Sequence, residues 1–523
     1  MIKSSFGFAM PSVMPEHRLY SSALAGGGIL DVGCYPVSMA RLIAGARTAA
    51  GYLDPDTVSG AGHIGKTGVD EWASAVLHFP NNIVAEVSCS VSLAQDNMLR
   101  ILGAHGAIEL DDFWFAGVGK TGGTGVIRIS DKKGVKQTIE LAEPRHLYSF
   151  EIDAVSDALK SGRTEFKSPG MSWSDSLGNL RVLDKWRADI GLVFDPETPA
   201  KRTNTIRGEA LRLGNKKVPR GHVKGLAKEA SLTAFGFLEL NSYTATEIML
   251  DAFFEAGGNM LDTGHMYAGG VPEVRLGQWM KTRGVRGETV IIAKGAHTPL
   301  CYPDVVGRQL ALSLDRMQTD HVDIYFMHRD NPDIPVGEFV DAMDVEVRAG
   351  RIRGPFGGSN WSRERMDAAI TYAKSNGKAV PTALSNNFSL AEMVNPVWDG
   401  CVACSDDEWK KWLAAKEITN FAWSSQARGF FTGRAGPDKL ENEELVHSWY
   451  SPSNFARRAR AYDLAARLGK SPIQVALAYV MAQPLAVIPL IGPQTLAELD
   501  DSLSAFDIKL TAQDVIWLET GNS

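Results

Sequence analysis

The rhythm of apolar and polar positions changes near the middle of the chain. In the first part, "AVLHFPNNIVAEVSCSVSL" (75–93) and "NMLRILGAHGAIELDDFWF" (97–115) read as long strands broken at turn residues. "GVIRISD" and "KQTIEL" flank "KKG" and predict a hairpin. "HLYSFEIDAVSDALKSG" (146–162) and "SWSDSLGNLRVLDKWRADIG" (172–191) then carry apolar residues at helical spacing. Strands in succession with helices at the ends predict an α+β domain over residues 1–195, built on an open, mainly antiparallel sheet. Residues 196–230 are basic, rich in Pro and Gly and poor in apolar periodicity, which predicts an inter-domain linker.

From 231 to 523 the pattern is a short apolar run, a turn and an amphipathic helix, repeated. The strands expected are "AFGFLEL" (234–240), "GNMLDTG" (258–264), "TVIIAKG" (289–295) and "VDIYFMH" (322–328). They continue with "IRGPFGGSN" (352–360), "PTALSNN" (381–387), "ITNFAWS" (418–424) and "AVIPLIG" (486–492). Eight βα units in about 290 residues predict an α/β TIM barrel, because an open doubly wound sheet normally uses five or six strands.

Composition narrows the classes. At 523 residues the chain is too long for one core, and 44% hydrophobic with 22% charged residues is an ordinary globular balance. Net charge is −7, without a Lys/Arg cluster to follow a phosphate backbone, so nucleic acid is not an expected partner. No run approaches about 18 apolar residues, so no membrane span is expected. The first twenty residues, interrupted by Pro11, Pro15 and His17, do not form a secretory signal. Five sparse cysteines fit a reduced, cytoplasmic protein.

Barrel strands carry chemistry at their C-terminal ends. Here the second ends at Asp262, the third at Lys294 and the fourth at His328, Tyr267 follows on a loop, and the seventh runs into Trp423, Ser424 and Ser425. Any one of these alone reads as a satisfied polar strand end. Three ionisable groups and a Tyr on one rim read as a site. A Tyr of ordinary pKa near 10 is a poor donor at neutral pH. A neighbouring ammonium is expected to lower that value, a carboxylate to keep the ammonium oriented, and a neutral His to hold a carbonyl oxygen. That combination protonates an oxygen as hydride reaches its carbon.

The blocks "AGGNMLDTGHMYAGGVPEVRLGQW", "VIIAKG", "VDIYFMHRDN", "GGSN" and "FAWSSQARGFFTG" resemble successive motifs of the aldo-keto reductase superfamily, over about residues 231–523. The resemblance implies Tyr267 as general acid/base, Lys294 and Asp262 as its tuning pair, and His328 as the substrate-positioning group. It implies Ser359 and Asn360 on the nicotinamide carboxamide, Trp423 against the ring, and Ser424, Ser425 and Arg428 along the pyrophosphate. Ser385 stands where many relatives carry a Gln, and "RGPFGG" is one residue longer than usual before the "SN" pair. Gly492, Gln494, Glu498, Asp501 and Ser502 fall in the segment resembling the adenosine-phosphate loop. That segment (491–503) has no Arg or Lys, and Gln494 and Glu498 stand where NADP-preferring relatives place cations. A carboxylate repels a 2′-phosphate, so NAD is expected over NADP.

Other motifs are discounted. "GVGKTGGTG" (117–125) lacks the first Gly of a phosphate loop, since position 114 is Trp. "CVAC" (401–404) has no second cysteine pair, so no metal site is expected. "DEWKKWLAAK" (407–416) predicts a helix burying Trp409 and Trp412 over the mouth, and His265, in the loop between Asp262 and Tyr267, is not counted among the site residues.

In the first part, "SSFGFAMP", "GGGILDVGCYPVSMARLIAG" and "NLRVLDKWRADIGLVF" resemble the C-terminal domain of the Gfo/Idh/MocA oxidoreductases. The resemblance places Asp31 and Tyr35 where that family sets groups over nicotinamide and substrate. The chain shows no strand–GxGxxG–helix unit before them, so these residues are expected to be retained elements of the fold, and the chain a candidate truncation of a longer product. The open sheet is an expected homodimer surface. The function expected is NAD(P)-dependent reduction of a sugar-like or small aldehyde or ketone. The alternatives are a glycosidase working through transient, NAD-dependent oxidation of the sugar ring, and a non-catalytic nucleotide-binding scaffold.

Overall fold

The computed structural model describes residues 1–111, 113–115, 123–198, 202–237, 240 and 242–522. It divides into two compact units, Met1–Lys201 and Arg202–Ser523.

Among the described residues the first unit holds eight strands: β1 (Ile2–Gly7), β2 (Thr57–Ile64), β3 (Asp70–Phe79), β4 (Ile83–Ser90), β5 (Met98–Leu102), β6 (Gly106–Asp111), β7 (Gly123–Asp131) and β8 (Gly134–Glu143). Their order is β2-β3-β4-β1-β5-β6-β7-β8, with β1 and β4 parallel and the other neighbours antiparallel. The two long runs of the sequence each break at the expected turn, and the "KKG" hairpin is β7–β8. Helices α2 (Tyr148–Lys160) and α3 (Trp173–Asp189) follow the expected helical spacing, α1 (Cys34–Ala44) is a further helix, and Val37, Ala40, Val182, Leu183 and Trp186 pack on Ala73, Ala75, Leu77, Ala85 and Val87 of the sheet. The start of "GVGKTGGTG", residues 117–122, lies outside the described residues.

The glycine-rich stretch has a packing explanation. Gly27 adopts φ +106°, and a Cβ there would fall on the Asp70 carboxylate. That closeness lets Asp70 Oδ2 accept the Ile29 amide at 2.7 Å, while burial pushes the Asp70 carboxyl up to about 7. Asp31 pairs with Arg18, and the half-exposed Tyr35 packs edge-on against Phe6 at 5.3 Å and Trp114 at 5.8 Å. The glycines thus serve a close approach between a helix start and a strand.

The second unit is a closed parallel barrel. Ahead of it stands a small hairpin, β9 (Arg220–Gly221) with β10 (Ala230–Ser231). The staves are β11 (Ala234–Gly236), β12 (Met260–Asp262), β13 (Val290–Gly295), β14 (Ile324–Met327), β15 (Phe356–Ser359), β16 (Ala383–Ser385), β17 (Thr419–Ala422) and β18 (Val487–Ile491). Around them run α4 (Tyr243–Glu255), α5 (Val271–Arg283), α6 (Pro303–Met317), α7 (Val336–Arg348), α8 (Arg363–Ser375) and α9 (Asp407–Lys416). The circuit continues with α10 (Glu443–Trp449), α11 (Pro452–Leu468), α12 (Pro472–Met481), α13 (Leu496–Leu503) and α14 (Ala512–Thr520). All eight expected strands are present, one per predicted βα unit.

Alternation along the staves builds two cores. Met260, Val290, Ile292, Ile324, Phe326, Ala383, Phe421 and Ile488 fill the barrel, while Phe235, Leu261, Ile291, Tyr325, Leu384 and Ile491 belong to the core shared with the helices. The stretch expected as a linker is a linker only in part. Val223, Leu226 and Ala230 join the inner core, and Leu211 and Val218 join the outer one. Few but well-placed apolar residues dock this segment on the barrel, a pattern that periodicity does not reveal.

Candidate active site

The site grows from strand ends. Asp262 is the last residue of β12, Lys294 the penultimate residue of β13, and His328 follows β14 directly. The register is held past the strand ends, because His265 N donates to Lys294 O at 2.8 Å and His328 N to Gly295 O at 2.6 Å. Tyr267 opens the short turn after β12, and its own amide donates to Gly264 O at 3.0 Å.

These four side chains meet. Lys294 Nζ donates to Asp262 Oδ1 and, at 3.2 Å, to the Tyr267 hydroxyl. The His328 ring stands edge-on to the Tyr267 ring at 5.2 Å. Burial works against the Lys294 ammonium, yet Asp262 and Tyr267 hold it above the ordinary lysine value. For Tyr267 the outcome differs from the expectation. Burial of the phenolate outweighs the pull of Lys294, so the phenol lies above its usual 10. The resting group is a neutral phenol that already faces the ammonium, which is the state of a proton donor. Burial and the neighbouring Lys294 push the His328 imidazole well below its usual range, so it is neutral as expected.

Beside the tetrad lies a cavity of about 280 Å³, lined by His265, Met266, Gly295, His297, Leu300, Gln309, Arg316 and His328 among others. Met266 and Leu300 are 46% and 55% exposed, an apolar rim. His265 therefore does border the cavity, and His297, which the sequence did not single out, packs edge-on to His328 at 4.8 Å.

The expected cofactor residues lie on the same face, with different individual placements. Ser359 ends β15; its hydroxyl donates to Ser385 O at 2.9 Å and accepts Asn360 Nδ2 at 3.2 Å. Asn360 takes φ +61°. Ser385 does not point into the mouth. Its hydroxyl donates to Phe421 O at 3.0 Å, tying β16 to β17. Next to it are two buried asparagines: Asn386, which accepts the Asn360 amide at 2.7 Å, and Asn387, whose Nδ2 donates to Trp423 O at 3.0 Å. Both were missed, because "SNN" after an apolar run reads as a turn. Ser425 donates to Leu490 O at 2.7 Å, and Ser424 takes φ +48° in the tight turn after β17. Arg428 is paired with Glu444 of α10 and lies over Trp398 at 5.4 Å.

In the adenosine-loop segment, Gly492 follows β18, and the Gln494 amide donates to Glu498 Oε2 at 2.8 Å. Asp501 is a structural group: its Oδ1 accepts Ser471 Oγ at 3.0 Å and Gln474 Nε2 at 2.7 Å, which fixes the start of α12. Ser502 accepts Gln426 Nε2 at 3.5 Å, the outer limit of a hydrogen bond. The α9 tryptophans face sideways, with Trp412 Nε1 donating to Asp367 of α8 at 3.0 Å, so that helix is not a cover for the mouth.

Among the described residues, the buried polar atoms near the tetrad and the β17 turn without a hydrogen-bond partner include His328 Nδ1, Asn387 Oδ1 and Trp423 Nε1. Such atoms are costly unless a ligand completes them. An acceptor beside a half-buried indole fits a flat ring that bears an amide, so the residues present suit a nicotinamide. Asn387 and Trp423 would hold it, with Ser359 and Asn360 beside them.

The aldo/keto reductase family model matches residues 234–520, more than half of the chain, and the GFO/IDH/MocA C-terminal domain model matches residues 1–109. The chain belongs to the aldo/keto reductase family and is an oxidoreductase enzyme. Its relatives include an uncharacterized oxidoreductase, YrpG, of Bacillus subtilis, 26% identical over 52% of this chain and 85% of that protein. Another is the aldo-keto reductase str7 of Strobilurus tenacellus, 29% identical over 51% of this chain and 78% of its own length. A third is the aldo-keto reductase yakc [NADP(+)] of Schizosaccharomyces pombe, 27% identical over 52% of this chain and 80% of its own. Among the described residues, no helix is long and apolar enough to cross a membrane.

Proposed function

We propose that the second unit reduces a small aldehyde or ketone to the alcohol, with Tyr267 as the proton donor. The observation that carries this reading is the buried hydrogen bond from Lys294 to the Tyr267 hydroxyl, with Asp262 on the other side of the same ammonium. A reduced nicotinamide, when bound, supplies the hydride. Neutral His328 donates a ring N–H to the carbonyl oxygen and holds it beside the phenol. Tyr267 gives its proton to that oxygen, and the phenolate left behind is stabilised by Lys294 at hydrogen-bond distance. Asp262 keeps the ammonium charged and aimed. The net change is one carbonyl, one hydride and one proton to one alcohol.

The cofactor of this reading is NAD(H) in preference to NADP(H). Residues 491–503 offer no cation to a 2′-phosphate, and Glu498 places a carboxylate in that segment. The yakc relative is labelled for NADP(+), so the preference is specific to this chain's charges. Titration of the purified protein with each reduced nucleotide tests it: NADH is expected to bind more tightly and to be consumed with a panel of aldehydes. Tighter NADPH binding would reverse the preference, and consumption of neither would end the reading.

The pH profile has a definite sign. Carbonyl reduction needs the protonated phenol, whose value burial raises above 10. The rate is therefore expected to hold through neutral pH and to fall only on the far alkaline side. Alcohol oxidation needs the phenolate and is expected to rise over that same range. A rate of reduction that halves near neutral pH would contradict the assignment.

A further inference from the structure

Arg329, directly after His328, is only 8% exposed, and among the described residues no carboxylate lies within ion-pair distance of it. The acceptors its guanidinium finds are weak ones: His297 Nε2 at 3.3 Å from Nε, and Cys401 Sγ at 3.3 Å from Nη1. Neighbouring cations are treated differently. Lys294 has Asp262, Arg316 has Glu273 and Arg365 has Asp330. A guanidinium taken out of water without an anion is costly, and in a chain of net charge −7 acidic residues were plentiful enough to supply one.

The position of this cation relates it to the reaction. Tyr267 meets the His328 ring at 5.2 Å, His328 meets the His297 ring at 4.8 Å, and His297 accepts from Arg329. His297 Nδ1 lies 2.8 Å from Thr298 O, so its proton belongs on Nδ1 and its Nε2 lone pair is free to accept from Arg329. Both histidines line the cavity beside the tetrad, and Arg329 is hydrogen-bonded to one of them, His297. Held by a ring nitrogen and a thiol, the guanidinium keeps further donors for a planar, two-oxygen acceptor.

We infer that Arg329 is a substrate-recognition residue, and that the carbonyl compound reduced here bears a carboxylate which completes this buried cation. The inference rests on the proposed carbonyl reduction and names its substrate class. With the apolar rim at Met266 and Leu300, the fitting molecule is an aryl or alkyl aldehyde with an acid group at its far end.

The test compares para-carboxybenzaldehyde with its methyl ester, at saturating reduced nicotinamide, in the wild type, R329M and R329K. The acid is expected to exceed the ester in kcat/KM by about tenfold or more, the scale of one charge-assisted pair. R329M should remove that preference, read as the ratio of the two kcat/KM values, and R329K should keep part of it. An Arg329 with only a structural role would lower both substrates alike, which would overturn the inference. Calorimetry supplies an arm without turnover. Benzoate should bind the wild type more tightly than benzamide does, and R329M should lose the difference. Equal binding of the two overturns the anion subsite even if aldehydes are reduced. Benzoate selectivity in a protein that reduces no aldehyde supports the subsite and rejects the proposed reaction, so the two claims fail separately.

Discussion

Replacement of Tyr267 with Phe is expected to lower the rate of carbonyl reduction by about a thousandfold or more, the usual contribution of a positioned general acid. The effect should fall on kcat, with nucleotide affinity unchanged, because the ring itself remains. Its hydroxyl makes one hydrogen bond, to Lys294, so the fold loses little when that oxygen is removed. The measurement is single-turnover reduction with a preformed nucleotide complex, beside a fluorescence titration of the nucleotide. Retention of wild-type turnover would remove Tyr267 from the chemistry and leave the phenol–ammonium contact as packing.

The second large effect concerns Lys294. Changing it to Met removes the charge that stabilises the phenolate and leaves Asp262, 6% exposed, without its partner. Breaking a buried pair from one side costs about 3–5 kcal/mol. K294M is therefore expected both to lose turnover and to unfold at clearly lower denaturant. The double variant D262N/K294M removes both charges and is expected to regain most of the stability without regaining activity. Denaturant titration with activity assays on the three proteins separates folding from chemistry. If the double variant is as active as wild type, the pair has no catalytic part.

How much of this was legible in the sequence depended on what each feature needs. The barrel was legible because each stave is an apolar run ending in a turn, and Asp262, Lys294 and His328 stood out because each sits at or next to such an end, with Tyr267 on the loop after the first of them. The direction of the Tyr267 shift was not legible. It depends on the balance between burial and one ammonium, and burial is a property of the closed fold. Arg329 escaped notice for the same reason: in "MHRDN" an Arg next to an Asp reads as a solvated pair, whereas the fold gives Asp330 to Arg365 and leaves Arg329 unmatched. Ser385, Asn386 and Asn387 show a finer limit. The resemblance suggested Ser385 as the ligand-facing residue, yet its hydroxyl is spent on Phe421 O of β17, a partner that only the fold reveals. Residues 202–230 show the converse, since a handful of apolar side chains docks a segment whose overall texture is that of a connector.

The first unit contributes a separate lesson. Its glycine-rich turn was expected to be a retained element of the fold, and Gly27 is explained by the Asp70 carboxylate that occupies the space of its missing side chain. Asp31 and Tyr35 are each engaged locally, one with Arg18 and the other with Phe6 and Trp114.

The most direct test of Tyr267-dependent carbonyl reduction is product stoichiometry. The purified chain is incubated with reduced nicotinamide and para-carboxybenzaldehyde, and both the alcohol and the oxidised nucleotide are quantified by chromatography. One alcohol formed for each nucleotide oxidised, and neither formed by Y267F, is the expected result. Nucleotide binding with no alcohol, or equal yields from Y267F, would contradict it.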